Sequence, residues 1–275
     1  MTGFSVDWLD LREAADGRAR DPELLQRTWQ WLTNYPCHAD ATRVVVDLGA
    51  GTGSTLRALA SRADGPPVPL AWRLVDLDEN LLTEARRRHG ASHRLQTCVM
   101  NLAATAELPL QDSCLVTASA LFDLVSAAFT RDLASVLARN RRQPTGMYAA
   151  LNYDGTTRWT PVHPLDEAVL EAFNNDQRRD KGMGPALGPE ASHCLEEIFT
   201  GAGFVVHSAD SPWLLDGSDR RLVSALIQGI STAVASEPTL DGDGLKDWTD
   251  YRLEKVQSGT CRVGHRDILA LPPTD

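Results

Sequence analysis

Apolar positions along the chain alternate between two spacings, short runs bounded by polar residues and helical repeats of three and four. From Asp21 to Leu32, Leu24, Leu25, Thr28, Trp29 and Leu32 fall on one helical face. Beyond it the pattern predicts strand Arg43 to Asp47, helix Ser54 to Arg62, strand Ala71 to Asp76, helix Glu79 to His89 and strand Leu95 to Met100. Strand Cys114 to Ser119, a helix from about Arg131 to Asn140 and strand Met147 to Asn152 continue it. Strands that alternate with helices imply a doubly wound, mostly parallel sheet covered on both faces, an α/β Rossmann-like fold. Asp78 is placed to N-cap the helix carrying Leu81, Leu82 and Ala85, and Gly90 follows its end.

From Asp154 to Pro189 the composition shifts to Gly, Pro, Asn, Asp and Arg, which reads as an insertion at the strand-end face. Helix Glu190 to Gly201, strand Phe204 to His207, helices Arg220 to Ala235 and Leu245 to Gln257, and strand Thr260 to Leu271 complete the pattern. The expected organisation is an N-terminal helical cap over 1–40 and one domain over 41–275, with a lid at about 154–189. The sequence shows no internal repeat.

Composition narrows the function classes. The 275 residues are 43% hydrophobic and 23% charged, ordinary for a globular chain, and no apolar run reaches the roughly 18–20 residues of a membrane span. The N-terminal MTGFSVDWLDLREAADGRAR mixes acids with bases and resembles neither a secretory signal nor a transit peptide, so a cytoplasmic protein is expected. Five scattered cysteines, none in a CxxC pair, indicate reduced, mostly buried thiols and no metal site. A formal net charge of −10 argues against a nucleic-acid partner. The basic clusters Arg86 to Arg88 and Arg139 to Arg142 fall at predicted helix ends, where the dipole accounts for them.

The candidate chemistry centres on VVVDLGAGTGSTLRALA, Val44 to Ala60, a strand followed by a glycine loop and a helix. Such a loop aims backbone N–H groups at a ligand near the strand ends. A phosphate-binding P-loop needs Gly-Lys-Ser or Gly-Lys-Thr, whereas Gly53 precedes Ser54 and Thr55. The dinucleotide pattern GxGxxG fails as well, because Ser54 stands where the third glycine belongs and Gly53 makes the spacing GxGxG. Asp47, two residues upstream, suits an ammonium group and disfavours a pyrophosphate.

Asp47-Leu48-Gly49-Ala50-Gly51-Thr52-Gly53 resembles the first motif of the class I S-adenosylmethionine-dependent methyltransferases, an acid, any residue, then GxGxG. The resemblance extends along nearly the whole chain. It implies a seven-stranded sheet whose last strand, Thr260 to Leu271, inserts antiparallel beside strand five. It also implies S-adenosylmethionine as cofactor, bound by Asp47, Gly49, Ala50, Gly51, Thr52 and Gly53. Asp76, followed by Leu77, falls where the family places the acid that meets the ribose hydroxyls. Asn101 and Leu102 fall at the adenine position, with Asn101 replacing the family's usual acid. Ser119, Leu121 and Asp123, at the end of strand four, fall where cofactor and substrate are lined.

The acceptor side carries weaker signals. Asp-Pro-Pro-Tyr and Asn-Pro-Pro-Tyr, the motifs of nucleobase amino methylation, are missing, and Pro36-Cys37 lies upstream of the glycine loop, not beyond strand four. Arg12, Arg18 and Arg20 stand near Trp8 in the cap, and Arg12 is the preferred partner for the cofactor carboxylate. Tyr153, His163 and Asp123 are the candidate acid–base groups; Asp123 fits a helix N-cap equally well, and His163 a structural role. Lys181 in the insertion suits either an anionic substrate or solvent, and Trp213 either a site wall or the core. Two functions remain: a methyltransferase acting at O or N of a small molecule, or a protein of the same fold that binds the cofactor without methylating, cyclase-like or as a partner subunit. A nicotinamide oxidoreductase is a distant third, disfavoured by Ser54 and Asp47.

Overall fold

The structure is a computed structural model that describes residues 4–37, 41–61, 68–139 and 143–273. Arg62, Asn140, Arg141 and Arg142, at the ends of predicted helices or in a basic cluster, lie outside the described residues. Strands β1 (Arg43–Leu48), β2 (Leu70–Asp76), β3 (Arg94–Val99), β4 (Ser113–Ser119), β5 (Gly146–Thr160), β6 (Val205–Asp210), β7 (Trp213–Leu215) and β8 (Thr260–Leu271) form one sheet of order β3-β2-β1-β4-β5-β8-β6. The short β7 pairs with β8 off this path, an eighth strand beyond the seven expected. From β3 to β5 all pairs are parallel, and β8 runs antiparallel between β5 and β6. This is a Rossmann-like architecture, with the last strand inserted antiparallel beside β5 as the resemblance implied.

The helices are α1 (Val6–Ala19), α2 (Pro22–Asn34), α3 (Ser54–Ala60), α4 (Glu79–His89), α5 (Ala127–Arg139), α6 (Asp166–Gln177), α7 (Ala191–Gly201), α8 (Arg220–Val234) and α9 (Gly242–Glu254). Successive strand residues point to opposite faces, so the central strands feed two cores. Val45, Leu74, Leu115, Tyr148 and Leu269 enter one core, and Val46, Val75, Val116, Ala149 and Ile268 the other. Asp78 caps α4 by accepting from Asn80 N at 2.8 Å. The Trp29 and Trp31 indoles anchor α2 by donating to the carbonyls of Leu59 and Cys114.

Three features depart from the sequence pattern. β5 does not stop at Asn152 but continues to Thr160, and the insertion also holds α6. Its pairing with β8 shifts between Ala149 and Asn152 and again between Tyr153 and Thr157, so strict alternation is lost and the segment looks like a loop. α5 starts at Ala127, four residues before the expected position. Cys114 and Cys261 are buried, but Cys37 is exposed. Among the described residues no helix is long and apolar enough to cross a membrane.

Candidate cofactor and acceptor site

The turn from β1 into α3 exists because its glycines adopt backbone conformations that other residues resist. Gly51 has φ +52° and packs so tightly under α1 that a Cβ there would stand 3.0 Å from Leu9 Cδ1. Gly53, at φ +88°, forms the N-cap of α3, and a Cβ would meet the His89 ring at 3.1 Å. The loop is braced from the neighbouring strand: Gly51 N–H donates to Asp76 Oδ2 at 2.8 Å, and Asp78 N–H to Asp76 Oδ1 at 3.0 Å.

A cavity of about 650 Å³ opens above the carboxyl ends of β1, β2 and β4. Of the residues expected around a cofactor, Asp47, Gly49, Ala50, Gly51, Thr52, Asp76, Leu77, Asn101, Leu102, Ser119, Leu121 and Arg12 all line it. Gly53 stands behind the wall, where its role is the helix turn. The lining carries the carboxylates of Glu13, Asp16, Asp47, Asp76, Asp78 and Glu79 against the cations of Arg12 and Lys181. This acidic excess favours a cationic ligand.

Asp47 is 1% exposed and accepts from Thr117 Oγ1 at 2.6 Å. Burial pushes its pKa up to about 6, against the opposing pull of the Thr117 hydroxyl and the Arg20 charge. Each Asp76 oxygen already holds one backbone N–H and keeps a second lone pair. Asn101 Oδ1 accepts from Ala103 N–H at 3.0 Å, which fixes the turn after β3 and orients the amide at the cavity rim. Ala120, at the end of β4, and Leu151, within the first β5 bulge, have φ +49° and +56°. Such strained backbone gathers at functional sites.

α1 covers one side of the cavity through Leu9, Arg12, Glu13 and Asp16. Ion pairs tie it down: Asp10 to Arg88 at 2.6 Å, Glu13 to Arg57 at 2.5 Å, and Arg18 to Asp219 at 2.7 Å. Arg88 of the basic cluster thus serves α1 as well as Glu84. Arg12 donates to both oxygens of Asp16, at 2.8 and 3.2 Å, and lies 5.0 Å from the Trp213 ring centroid. Trp213 is buried and donates to Asp16 Oδ1 at 3.0 Å, so it is core and not a cavity wall. Arg20 is 3% exposed, and its Nη2 reaches Ser119 Oγ at 2.9 Å and Ser54 Oγ at 3.2 Å. Burial opposes its charge, but Tyr148, Asp267 and Asp16 more than offset that.

The acid–base candidates are placed differently. Tyr153 does not line the cavity; it is buried, and its hydroxyl donates to Asn174 Oδ1 at 3.0 Å. The β5 extension carries it past the cavity and into the core against Phe173 and His265. His163 lies farther along, its ring 5.0 Å from that of Tyr251 and its Nδ1 accepting from Leu165 N–H. Neither is brought to the cavity. Asp123 sits in a 3₁₀ turn, Phe122–Leu124, and does not cap α5; Ser126 does, accepting from Phe129 N–H at 3.3 Å. Asp123 itself does not line the cavity; its neighbours Leu121, Leu124 and Val125 do, as do Lys181, Gly182 and Met183 from the insertion. Lys181 is held by Asp176 at 2.8 Å.

Sequence reasoning missed Glu13, Asp16, His265 and Asp267. Asp267 is wholly buried on β8 and accepts from Tyr148 Oη, Leu151 N and Asp21 N at 2.8, 2.8 and 3.1 Å. An acid inside the apolar run of the last strand was the available signal. Among the described residues no group of three or more His, Cys, Asp or Glu side chains is placed to hold a metal ion.

No family model matches the sequence. No curated protein matches it either. Solved structures do match over most of the chain. One is a cyclopropane synthase from Mycobacterium tuberculosis, 11% identical with TM-score 0.48 over 97% of this chain and 94% of that one. Another is a mycolic acid cyclopropane synthase complexed with S-adenosylhomocysteine, 12% identical with TM-score 0.47 over 95% of each chain. A third is a geranyl diphosphate C-methyltransferase from Streptomyces coelicolor, 12% identical with TM-score 0.43 over 90% of this chain and 76% of that one. These are likenesses of fold alone.

Proposed function

We propose that the chain is an S-adenosylmethionine-dependent methyltransferase that transfers a methyl group to oxygen or nitrogen of a small-molecule acceptor. The observation that carries this reading is the convergence of Asp47, Asp76 and the tightly turned glycine loop on one acidic cavity. Their chemistry fits the cofactor. Asp76 keeps lone pairs for two ribose hydroxyls, and Asn101 and Leu102, with Leu77, line the same cavity and are suited to an adenine edge. Asp47 is suited to the ammonium group, and Arg12 to the carboxylate, with Ser119 and Leu121 alongside.

When bound, the cofactor supplies a methyl group on a positively charged sulfur, an electrophile that needs no metal. The protein's part is to hold the acceptor in line and exclude water. α1 and the Lys181–Met183 segment, which line the cavity and which we read as part of a lid in the insertion after β5, are suited to this. The net charge of −10 supports a small molecule over a nucleic acid.

A second reading, cofactor binding without methyl transfer, is favoured by the position of Tyr153 and His163 outside the cavity. Calorimetry with S-adenosylhomocysteine tests what both readings share: binding is expected, and no heat of binding would defeat both. Formation of S-adenosylhomocysteine from S-adenosylmethionine with a panel of amines and phenols then supports the first reading over the second.

A further inference from the structure

Behind the cavity wall stands a buried cation whose hydrogen bonds lead toward the cavity. Arg20, the C-cap of α1, is 3% exposed, and its Nη2 donates to Ser119 Oγ at 2.9 Å and to Ser54 Oγ at 3.2 Å. Both serines line the cavity. The carboxylates in the field of Arg20 are spent on other donors: Asp267 accepts from Tyr148 Oη, Leu151 N–H and Asp21 N–H, and Asp16 from Arg12 and the Trp213 indole. Arg20 Nε and Nη1 are buried without a hydrogen bond. A buried cation without a paired carboxylate is costly and calls for an anion close by.

The two serines show where that anion would sit. A serine hydroxyl has one proton to donate and two lone pairs to accept with. Arg20 fills a lone pair on each, so each hydroxyl proton turns to some other group. Ser54 has one in the carboxylate of Glu13, which its hydroxyl stabilises. Ser119 donates to no group among the described residues, and it stands at the carboxyl end of β4 on the cavity wall.

The register of the sheet places this hydroxyl beside Asp47. Asp47 pairs with Thr117 across β1 and β4 and accepts from its hydroxyl at 2.6 Å. Ser119, two residues further along β4, projects from the same face of the sheet. The Arg20 charge also acts on Asp47, against the effect of burial. An acid and a cation-backed hydroxyl on neighbouring strands complement the ammonium and carboxylate of one amino acid.

We propose that Arg20 is a positioning residue that acts through Ser119, and that the Ser119 hydroxyl receives the carboxylate at the amino-acid end of the cofactor. The proposal rests on the S-adenosylmethionine reading above. Arg12 lines the same cavity, but its guanidinium is shared with both oxygens of Asp16. Arg20 has no such competitor, and its charge reaches the ligand through one hydroxyl. A ligand that lacks the amino-acid end gains nothing from this arrangement.

Calorimetry with two probes separates this role from a structural one, since S-adenosylhomocysteine carries the amino-acid end and 5′-methylthioadenosine lacks it. Ser119→Ala and Arg20→Gln are each expected to weaken S-adenosylhomocysteine binding about 10–100-fold, the range of a charge-assisted hydrogen bond, and to leave 5′-methylthioadenosine within about twofold. The double variant is expected to bind S-adenosylhomocysteine about as weakly as Ser119→Ala alone, because Arg20 acts through that hydroxyl. If Arg20→Gln does not fold, Arg20→Lys takes its place, and Ser119→Ala, which removes one oxygen atom, carries the test by itself. Equal weakening of both probes, unchanged S-adenosylhomocysteine binding in Ser119→Ala, or fully multiplicative effects in the double variant overturns the proposal. A wild-type protein that binds neither probe is a separate result, which overturns the cofactor reading and this proposal with it.

Discussion

Gly51 donates its backbone N–H to Asp76 Oδ2 at 2.8 Å, so the carboxylate that faces the cavity from β2 also sets the shape of the glycine loop on β1. One residue therefore has two tasks, loop geometry and ligand contact. Replacing it removes a charge-assisted hydrogen bond worth about 1.5–3 kcal/mol. Asp76→Ala is expected to weaken S-adenosylhomocysteine binding by about 10–100-fold in calorimetry. An unchanged dissociation constant would remove Asp76 from the site.

The close approach of α1 to the loop makes a second prediction. Gly51→Ala forces a side chain into φ +52° and against Leu9 Cδ1 at 3.0 Å. The backbone strain alone costs about 1–2 kcal/mol, and the contact adds to it. Leu9→Ala in the same chain should recover the contact part and not the strain. Thermal melts of the two single variants and the double variant separate these; strict additivity would mean that α1 does not press on the loop.

Asp47 links function to stability through pH. Its folded pKa, about 6, stands above the ordinary 3.8, so the folded state holds the proton more tightly than the unfolded state between those values. Ionised Asp47 therefore opposes folding, and stability is lost as pH rises from about 4 to 6, by roughly 3 kcal/mol at most. Asp47→Asn should match the wild type in stability below pH about 4 and exceed it above about 6, while binding the cofactor less tightly. Urea titrations at pH 4 and pH 8 check this, and an equal difference at both values contradicts it.

His265 acts in the opposite direction. Its folded pKa of about 3 lies below the unfolded 6.5, so its contribution is intact above 6.5 and is lost as pH falls toward 3. His265→Phe keeps a ring against Trp213 and Tyr153 without that titration. The variant should lose less stability than the wild type between pH 7 and pH 4.5, as read by urea midpoints. An identical acid dependence would mean that His265 takes up its proton without penalty.

The arginines of the cap separate sharply by burial. Arg18 pairs with Asp219 at 2.7 Å on the surface, and Arg18→Leu should cost no more than about 1 kcal/mol. Arg20 is buried, donates to Ser119 and Ser54 and lies in the field of Tyr148 and Asp267, and Arg20→Leu removes those charge-assisted bonds at a cost of about 1.5–3 kcal/mol. Thermal melts of the two variants decide whether that ranking holds.

These relationships differ in how far they were readable from residue order. The β1–loop–α3 unit was readable because its glycines and Asp47 lie within a few residues, where local geometry dictates residue type. Asp78 as the cap of α4 and β8 over Thr260 to Leu271 were readable for the same reason. The extension of β5 was not, because bulges near Ala149 and Tyr153 interrupt the alternation that marks a strand, while the distant β8 supplies the missing partner. Tyr153 rides on that extension and His163 follows its end, and their location went with it away from the cavity.

The sequence by itself determined the doubly wound sheet and the acidic, glycine-turned loop at its strand ends, since both depend on contacts between near neighbours along the chain. Only the tertiary structure decided which of three arginines lines the cavity and which is buried under Ser119. Those outcomes depend on burial and on partners many residues distant, such as Arg20 with Ser119 and Gly51 with Asp76. Desolvation and pairing are set by what the folded chain brings together, and residue order alone does not contain them.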